Sequence, residues 1–169
     1  MTVSIAEQTA MKRNYMDVGS NGSYPSNALS NFAAHEFYID GVRCASMEGF
    51  LQSLKFSNPA MQEHICTLIG IAAKRAGSEK DWKKHQTLYW RGQKIGRRSQ
   101  EYQDLLDRAY LALFQNEGFR NALRAAGNAT FTHSVGKRKE GETVLTIREF
   151  CHRLNWLRDM LPSKAATLV

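Results

Sequence analysis

The sequence predicts one α+β domain dominated by helices, with a few short strands. Three observations carry that reading. The chain has 169 residues, near the commonest size of a single domain, which buries about 70% of its unfolded surface. Apolar residues return at helical spacing in several segments, whereas strand-like runs are short. Turn-forming clusters separate those segments, and no repeat or low-complexity block interrupts them. Residues 1–22 are polar and read as a flexible N-terminal lead-in or a loop folding over the body, 23–162 as the domain, and 163–169 as a C-terminal tail.

The elements follow in order. After the turn cluster at Pro25-Ser26-Asn27, Phe37 to Cys44 reads as two strands about Asp40-Gly41, because an Asp-Gly pair supplies the backbone that a tight hairpin needs. Ser46 is an N-cap for a helix whose Met47, Phe50, Leu51 and Leu54 share one side. Asn58-Pro59 opens a second helix, with Met61, Ile65, Leu68 and Ala72 as its buried face before Gly77. Ser78 and Asp81 could cap a short third helix carrying Trp82. Leu88 to Arg98 has no clean periodicity and reads as a basic loop. From Ser99, the residues Tyr102, Leu105, Leu106, Ala109, Tyr110, Leu113 and Phe114 give the strongest amphipathic helix, and they read as core. A short helix from Phe119 to Ala126 ends at Gly127, and Ala129 to Val135 reads as a strand with Phe131, His133 and Val135 on one face. Thr146 starts the last helix, with Ile147, Phe150, Leu154, Leu157 and Leu161 inward and Glu149 completing a capping box.

Composition narrows the function classes. Hydrophobic residues at 43% and charged residues at 23% are globular values. No run approaches a membrane span and the first residues lack a signal-peptide core, so a soluble cytoplasmic protein without membrane attachment is expected. The formal charge of +7 favours an anionic partner. Cys44, Cys66 and Cys151 are odd in number and form no Cys-x-x-Cys pair, so reduced thiols fit better than a disulfide framework. No phosphate-binding glycine loop, zinc-protease helix or serine-hydrolase elbow is present. His64 and Cys66, two apart on a helix, face different directions; no metal and no cofactor are expected.

The stretch that carries chemistry is Ser30-Asn31-Phe32 together with the helix after Ser46. Glu48, Gln52 and Lys55 share a stripe about 60° wide on a helix. A carboxylate, an amide and an ammonium therefore face one place, with Glu48 in the first turn where the helix dipole favours its ionised form. The same spacing also describes an ordinary exposed polar face.

Leu29-Ser30-Asn31-Phe32, a strand pair, and then Ser46-x-Glu48-x-x-x-Gln52-x-x-Lys55-Phe56 resemble the signature of the NADAR (YbiA-like) family. Later segments, Phe114-Gln115-Asn116 and Ala126-Gly127-Asn128 among them, resemble its further motifs more loosely, so the likeness spans about residues 24–160. The resemblance implies that fold and an N-glycosidase activity on ribosyl compounds. It makes Glu48 the catalytic residue, Asn31 and Phe32 the pocket-lining segment, Gln52 and Lys55 further polar positions, and Trp90 a matching tryptophan. The late acidic and tryptophan motif of many members is absent. His133, Ser134, Lys137 or Glu149 would supply its role, or the chain binds without hydrolysing, or its substrate differs.

The reaction is physically coherent, because N-glycosidic cleavage builds oxocarbenium character that a carboxylate stabilises while activating water. His133 or Lys55 would protonate the departing base, Trp90, Phe32 or Tyr89 would stack on it, and Lys55, Arg91, Lys94, Arg97 or Arg98 would meet a phosphate. A hydrolase of ribose-phosphate or ADP-ribose derivatives is the leading expectation, and a non-catalytic binder of ADP-ribose or NAD is the alternative. The expected partner is such a small molecule, with ADP-ribosylated nucleic acid as a further candidate; the sequence sets no oligomeric state.

Overall fold

The computed structural model describes residues 14–162. Among them the chain forms an α+β domain of short strands and seven α-helices. In order these are β1 (Tyr15–Asp17), α1 (Ser26–Leu29), β2 (Phe37–Ile39), β3 (Val42–Cys44), α2 (Met47–Ser53), α3 (Pro59–Cys66), α4 (Gly70–Ser78), β4 (Thr87–Trp90), β5 (Gln93–Gly96), α5 (Gln100–Leu113), α6 (Glu117–Ala125), β6 (Thr130–Thr132) and α7 (Ile147–Asp159). The strands pair two by two: β2 with β3 and β4 with β5 antiparallel, and β1 with β6 parallel.

The core gathers around α5, whose Tyr102, Leu105, Leu106, Ala109, Tyr110 and Leu113 are all buried. Caps fix the helix starts, each removing an orphan amide. Ser46 accepts from Gly49 N, Asn58 from Ala60 N and Met61 N, Ser99 from Tyr102 N, and Asn116 from Phe119 N. On α7, Thr146 and Glu149 form the expected capping box.

Several expectations give way to tertiary structure. Of the two readings of the lead-in, its described residues take the one that folds over the body, since β1 pairs with β6 and Val18 is buried beside it; residues 1–13 and the tail from 163 lie outside the described residues. The single helix expected from Asn58 to Gly77 is two: α3 ends at Cys66, Ile69 is extended at φ −132° and ψ 157° as the N-cap of α4, and Gly70 restarts the helix from a left-handed φ of +55°. The buried face is also phased differently: Gln62 and Ala73 are inside while Met61 and Ala72 are outside. The helix expected near Trp82 is a turn. The basic loop from 88 to 98 is the β4–β5 hairpin, turning at Arg91-Gly92, both at positive φ. The strand expected from 129 to 135 stops at Thr132, and Val135 is 79% exposed instead of sharing the Phe131 face.

Candidate functional site

Helix α2 is buried nearly all round, and its polar stripe packs against α4 instead of facing solvent. Three local features aim that stripe. Ser46 Oγ caps Gly49 and donates to Leu68 O at 3.0 Å, pinning the start of α2 to the α3–α4 connection. Asn31 O accepts the Glu48 amide at 2.9 Å, so the Ser30-Asn31-Phe32 segment lies across the same helix start. The α4 residues Gly70, Lys74 and Gly77 repeat the spacing of Glu48, Gln52 and Lys55: Phe32 lies at Gly70, and the Gln52 amide fills the place a side chain at Gly77 would take.

Glu48 is half-buried, and Gln52 Nε2 donates to its Oε1 at 2.8 Å. Burial pushes the Glu48 carboxyl above its ordinary range, against the Gln52 hydrogen bond and the positive charges of Lys55, Lys74 and His133. Burial likewise pushes the Lys55 ammonium down, with Glu48 opposing and Lys83, Lys137 and Lys74 adding to the depression. Lys55 Nζ rests on Gly77 O at 3.4 Å.

Two further groups are oriented by residues outside the stripe. The buried Tyr110 hydroxyl, its pKa raised by burial, donates to Asn31 Oδ1 at 2.8 Å. In that bond Asn31 Oδ1 accepts, leaving its NH2 as the donor side. His133 Nδ1 lies 2.7 Å from Val18 O. A carbonyl only accepts, so Nδ1 carries the proton and Nε2 holds the lone pair in the neutral ring. Phe150 packs edge-on against that ring at 5.1 Å between centroids.

Glu48, Gln52, Lys55, Asn31, Phe32, His133 and the Lys137 charge thus belong to one neighbourhood. Ser134 adjoins it but is committed to Asp17, donating from N at 2.7 Å and Oγ at 2.6 Å. These bonds hold the Asp17 carboxyl below its usual range. Trp90, Arg91 and Lys94 are elsewhere. Trp90 is buried against Phe50, with its indole N–H on Asp40 at 2.8 Å, so it packs the core and offers no stacking face to Glu48. Arg91 bonds the Asp40 carbonyl and lines a separate cleft of about 240 Å3 with Trp90; Lys94 is exposed on β5.

Arg97 and Glu149, expected as phosphate and late-motif candidates, are bound to each other. Arg97 is wholly buried, and its two terminal nitrogens reach the Glu149 carboxylate at 2.6 and 3.1 Å. Burial alone would raise the Glu149 carboxyl, but Arg97, the Thr146 amide and Gln103 outweigh it and hold the pKa below the ordinary value. Sequence reasoning missed Lys74, Tyr110, Gly77 and Asp17. The repeated spacing at 70, 74 and 77 was a signal for the α4 residues; nothing local marked Tyr110 or Asp17.

What this arrangement can do chemically is hold a ring carrying positive charge against one carboxylate, donate from fixed amides, and attract an anionic substituent. Among the described residues, no group of three or more His, Cys, Asp or Glu side chains is arranged to hold a metal ion, and no helix is long and apolar enough to cross a membrane.

Comparison with known proteins gives three matches. The sequence pattern of the family described as bacteriophage protein GP30.3 matches residues 23–159. A 17.1 kDa protein from the gp30–rIII intergenic region of Enterobacteria phage T4, itself uncharacterized, is 41% identical over 150 residues, covering 86% of this chain and 98% of that protein. The NMR structure of the E. coli protein YbiA superposes with a TM-score of 0.58 at 20% identity, over 94% of this chain and 89% of that one.

Proposed function

We propose, for a chain that belongs to the bacteriophage GP30.3 protein family and has the fold of YbiA, that it hydrolyses an N-glycosidic bond of a ribose-phosphate or ADP-ribose derivative at Glu48. The observation that carries this reading is the half-buried Glu48 carboxylate, held by Gln52, with the charges of Lys55, Lys74 and His133 favouring its ionised form. As the glycosidic bond stretches, positive charge grows on the ribose, and a carboxylate fixed in a partly dry setting stabilises it more than water would. Gln52 occupies Oε1, so the second carboxylate oxygen is free of that bond to take a proton from the attacking water. The departing base leaves with a proton from the Lys55 ammonium or from Nε2 of His133 in its imidazolium form. In this reading the Asn31 NH2, on the side of the amide away from the Tyr110 bond, donates to the sugar hydroxyls.

Mass-spectrometric turnover of a panel of ribosyl-phosphate amines, NAD, ADP-ribose and guanine-ADP-ribosylated DNA tests the reading. Wild type should consume one member, and Glu48→Gln should lose at least about a hundredfold in rate. Full activity in folded Glu48→Gln, or no consumption by wild type, overturns it. The second reading, a binder without turnover, is favoured by one observation: Glu149 is tied to Arg97, so it cannot stand in for the missing late acidic group. Tight binding of ADP-ribose or NAD with no turnover would select it. The nucleic-acid substrate stays in the panel, with less support from the basic hairpin now that Arg97 is internal.

A further inference from the structure

A second concavity opens beside Lys55. It has a volume of about 210 Å3 and is walled by Lys55, Lys80, Asp81, Trp82, His85 and Tyr89 among others. Whole small-molecule sites run to roughly 300–1,000 Å3, so this volume suits one moiety of a larger ligand. Its position relative to Glu48 is fixed by a continuous chain of contacts. Gln52 bonds Glu48 and fills the space at Gly77, and Lys55 bonds Gly77 O. On the far side, the Tyr89 amide donates to Leu54 O at 2.8 Å, which docks β4 beside Lys55.

The charges in this cleft are not spent internally. Every ion pair among the described residues uses an arginine, and neither Lys55 nor Lys80 has a carboxylate within ion-pair distance. The Lys80 ammonium is held over the Phe56 ring, 4.7 Å from its centroid, which limits where that charge can go. Asp81 also lines the cleft and repels an anion, so the two lysines must outweigh it. His85 and Tyr89 offer further donors.

We propose that this cleft is the phosphate subsite of a ligand whose ribose lies at Glu48, with the phosphate oxygens between the Lys55 and Lys80 ammonium groups. The assignment rests on reading Glu48 as the ribosyl site, and it names Lys80 as the residue that selects phosphorylated substrates. Of the expected phosphate partners it keeps Lys55, and it adds Lys80 in place of Arg91, Lys94, Arg97 and Arg98 of the hairpin.

Calorimetric titration of the full chain with ribose, ribose 5-phosphate, ADP-ribose and a short single-stranded DNA tests it, using wild type, Lys80→Gln and, as a control for one surface charge, Arg124→Gln. Lys80→Gln should weaken ribose 5-phosphate or ADP-ribose about tenfold, the loss of one charge-assisted hydrogen bond, and make the remaining affinity less salt-dependent. Ribose should be indifferent to that variant, and Arg124→Gln should match wild type for all ligands. Unchanged affinity for both phosphorylated ligands in Lys80→Gln overturns the subsite, even if Glu48→Gln abolishes turnover. A loss confined to the DNA also overturns it, in favour of backbone contact. Failure of wild type to bind any phosphorylated ligand removes it outright. A tenfold loss in Lys80→Gln from a protein that turns nothing over leaves the subsite standing while the hydrolase reading falls.

Discussion

Glu48 and Lys55 set each other's protonation, and that coupling makes two measurable claims. If ionised Glu48 is the working form, the acid limb of the pH–rate profile lies above the ordinary glutamate range, since burial raises its pKa. Lys55 favours the ionised carboxylate, so Lys55→Gln should move that limb to still higher pH, read from kcat/KM against pH. The linkage has a definite sign. A carboxyl whose folded pKa exceeds its unfolded value stabilises the fold below the unfolded pKa, and that contribution is lost as pH rises through the folded value. Glu48→Gln should therefore raise Tm at neutral pH while abolishing turnover, and thermal melts at neutral and acidic pH check this. Gly77 makes a further claim. A Cβ there would lie 1.9 Å from Gln52 Oε1, so Gly77→Ala must displace the amide that holds Glu48. Turnover should fall at least about tenfold, with the protein still folded by circular dichroism. At this scale the sequence was informative where chemistry follows helical spacing: Glu48, Gln52 and Lys55 do share a stripe. Trp90 was misplaced because an indole looks the same in sequence whether it stacks on a ligand or, as here, fills a core against Phe50 and bonds Asp40.

Capping chemistry made the helix starts legible, because a cap is a contact between residues two or three apart, as at Ser46, Asn58, Ser99 and Thr146. The β4–β5 hairpin was not legible. Its strands are four residues each, and only Leu88, Trp90 and Ile95 point inward, too few to establish a period of two. The hairpin has a structural purpose that its basic composition concealed: it delivers Arg97 to α7. There Arg97 joins Glu149, which also closes the capping box and accepts from Gln103 at 2.6 Å. A glutamine there keeps one acceptor oxygen but no charge, so the wholly buried guanidinium loses its counter-charge and retains the Thr143 carbonyl bond and the Tyr102 face. Glu149→Gln should cost about 3–5 kcal/mol by urea unfolding, the penalty of an uncompensated buried charge. Acid should mimic the substitution. The Glu149 pKa is depressed, so its contribution is present above the unfolded carboxyl pKa and disappears as pH falls through the folded one.

At the scale of the whole molecule, every ion pair among the described residues is built by an arginine and none by a lysine. The fold itself was recognisable, because the Ser30-Asn31-Phe32 and α2 motifs pointed to the architecture that YbiA shares. The pairing of β1 with β6 was not, because Tyr15 meets Thr130 across more than a hundred residues and a three-residue strand carries no periodicity to announce it. That pairing ties stability to the site. Val18 is 1% exposed in the core, and its carbonyl holds His133 by Nδ1 while Asp17 holds Ser134 next to it. Val18→Ala removes two buried methyl groups and should cost about 1–3 kcal/mol. The backbone carbonyl survives that substitution, so the tether weakens only as far as β1 loosens. If β1 positions His133, the variant should lose kcat beyond what its folded fraction explains, with KM nearly unchanged, and the His133 ring signals should broaden in NMR spectra. If β1 merely plugs the core, activity should track the folded fraction and the His133 signals should stay sharp until the protein unfolds.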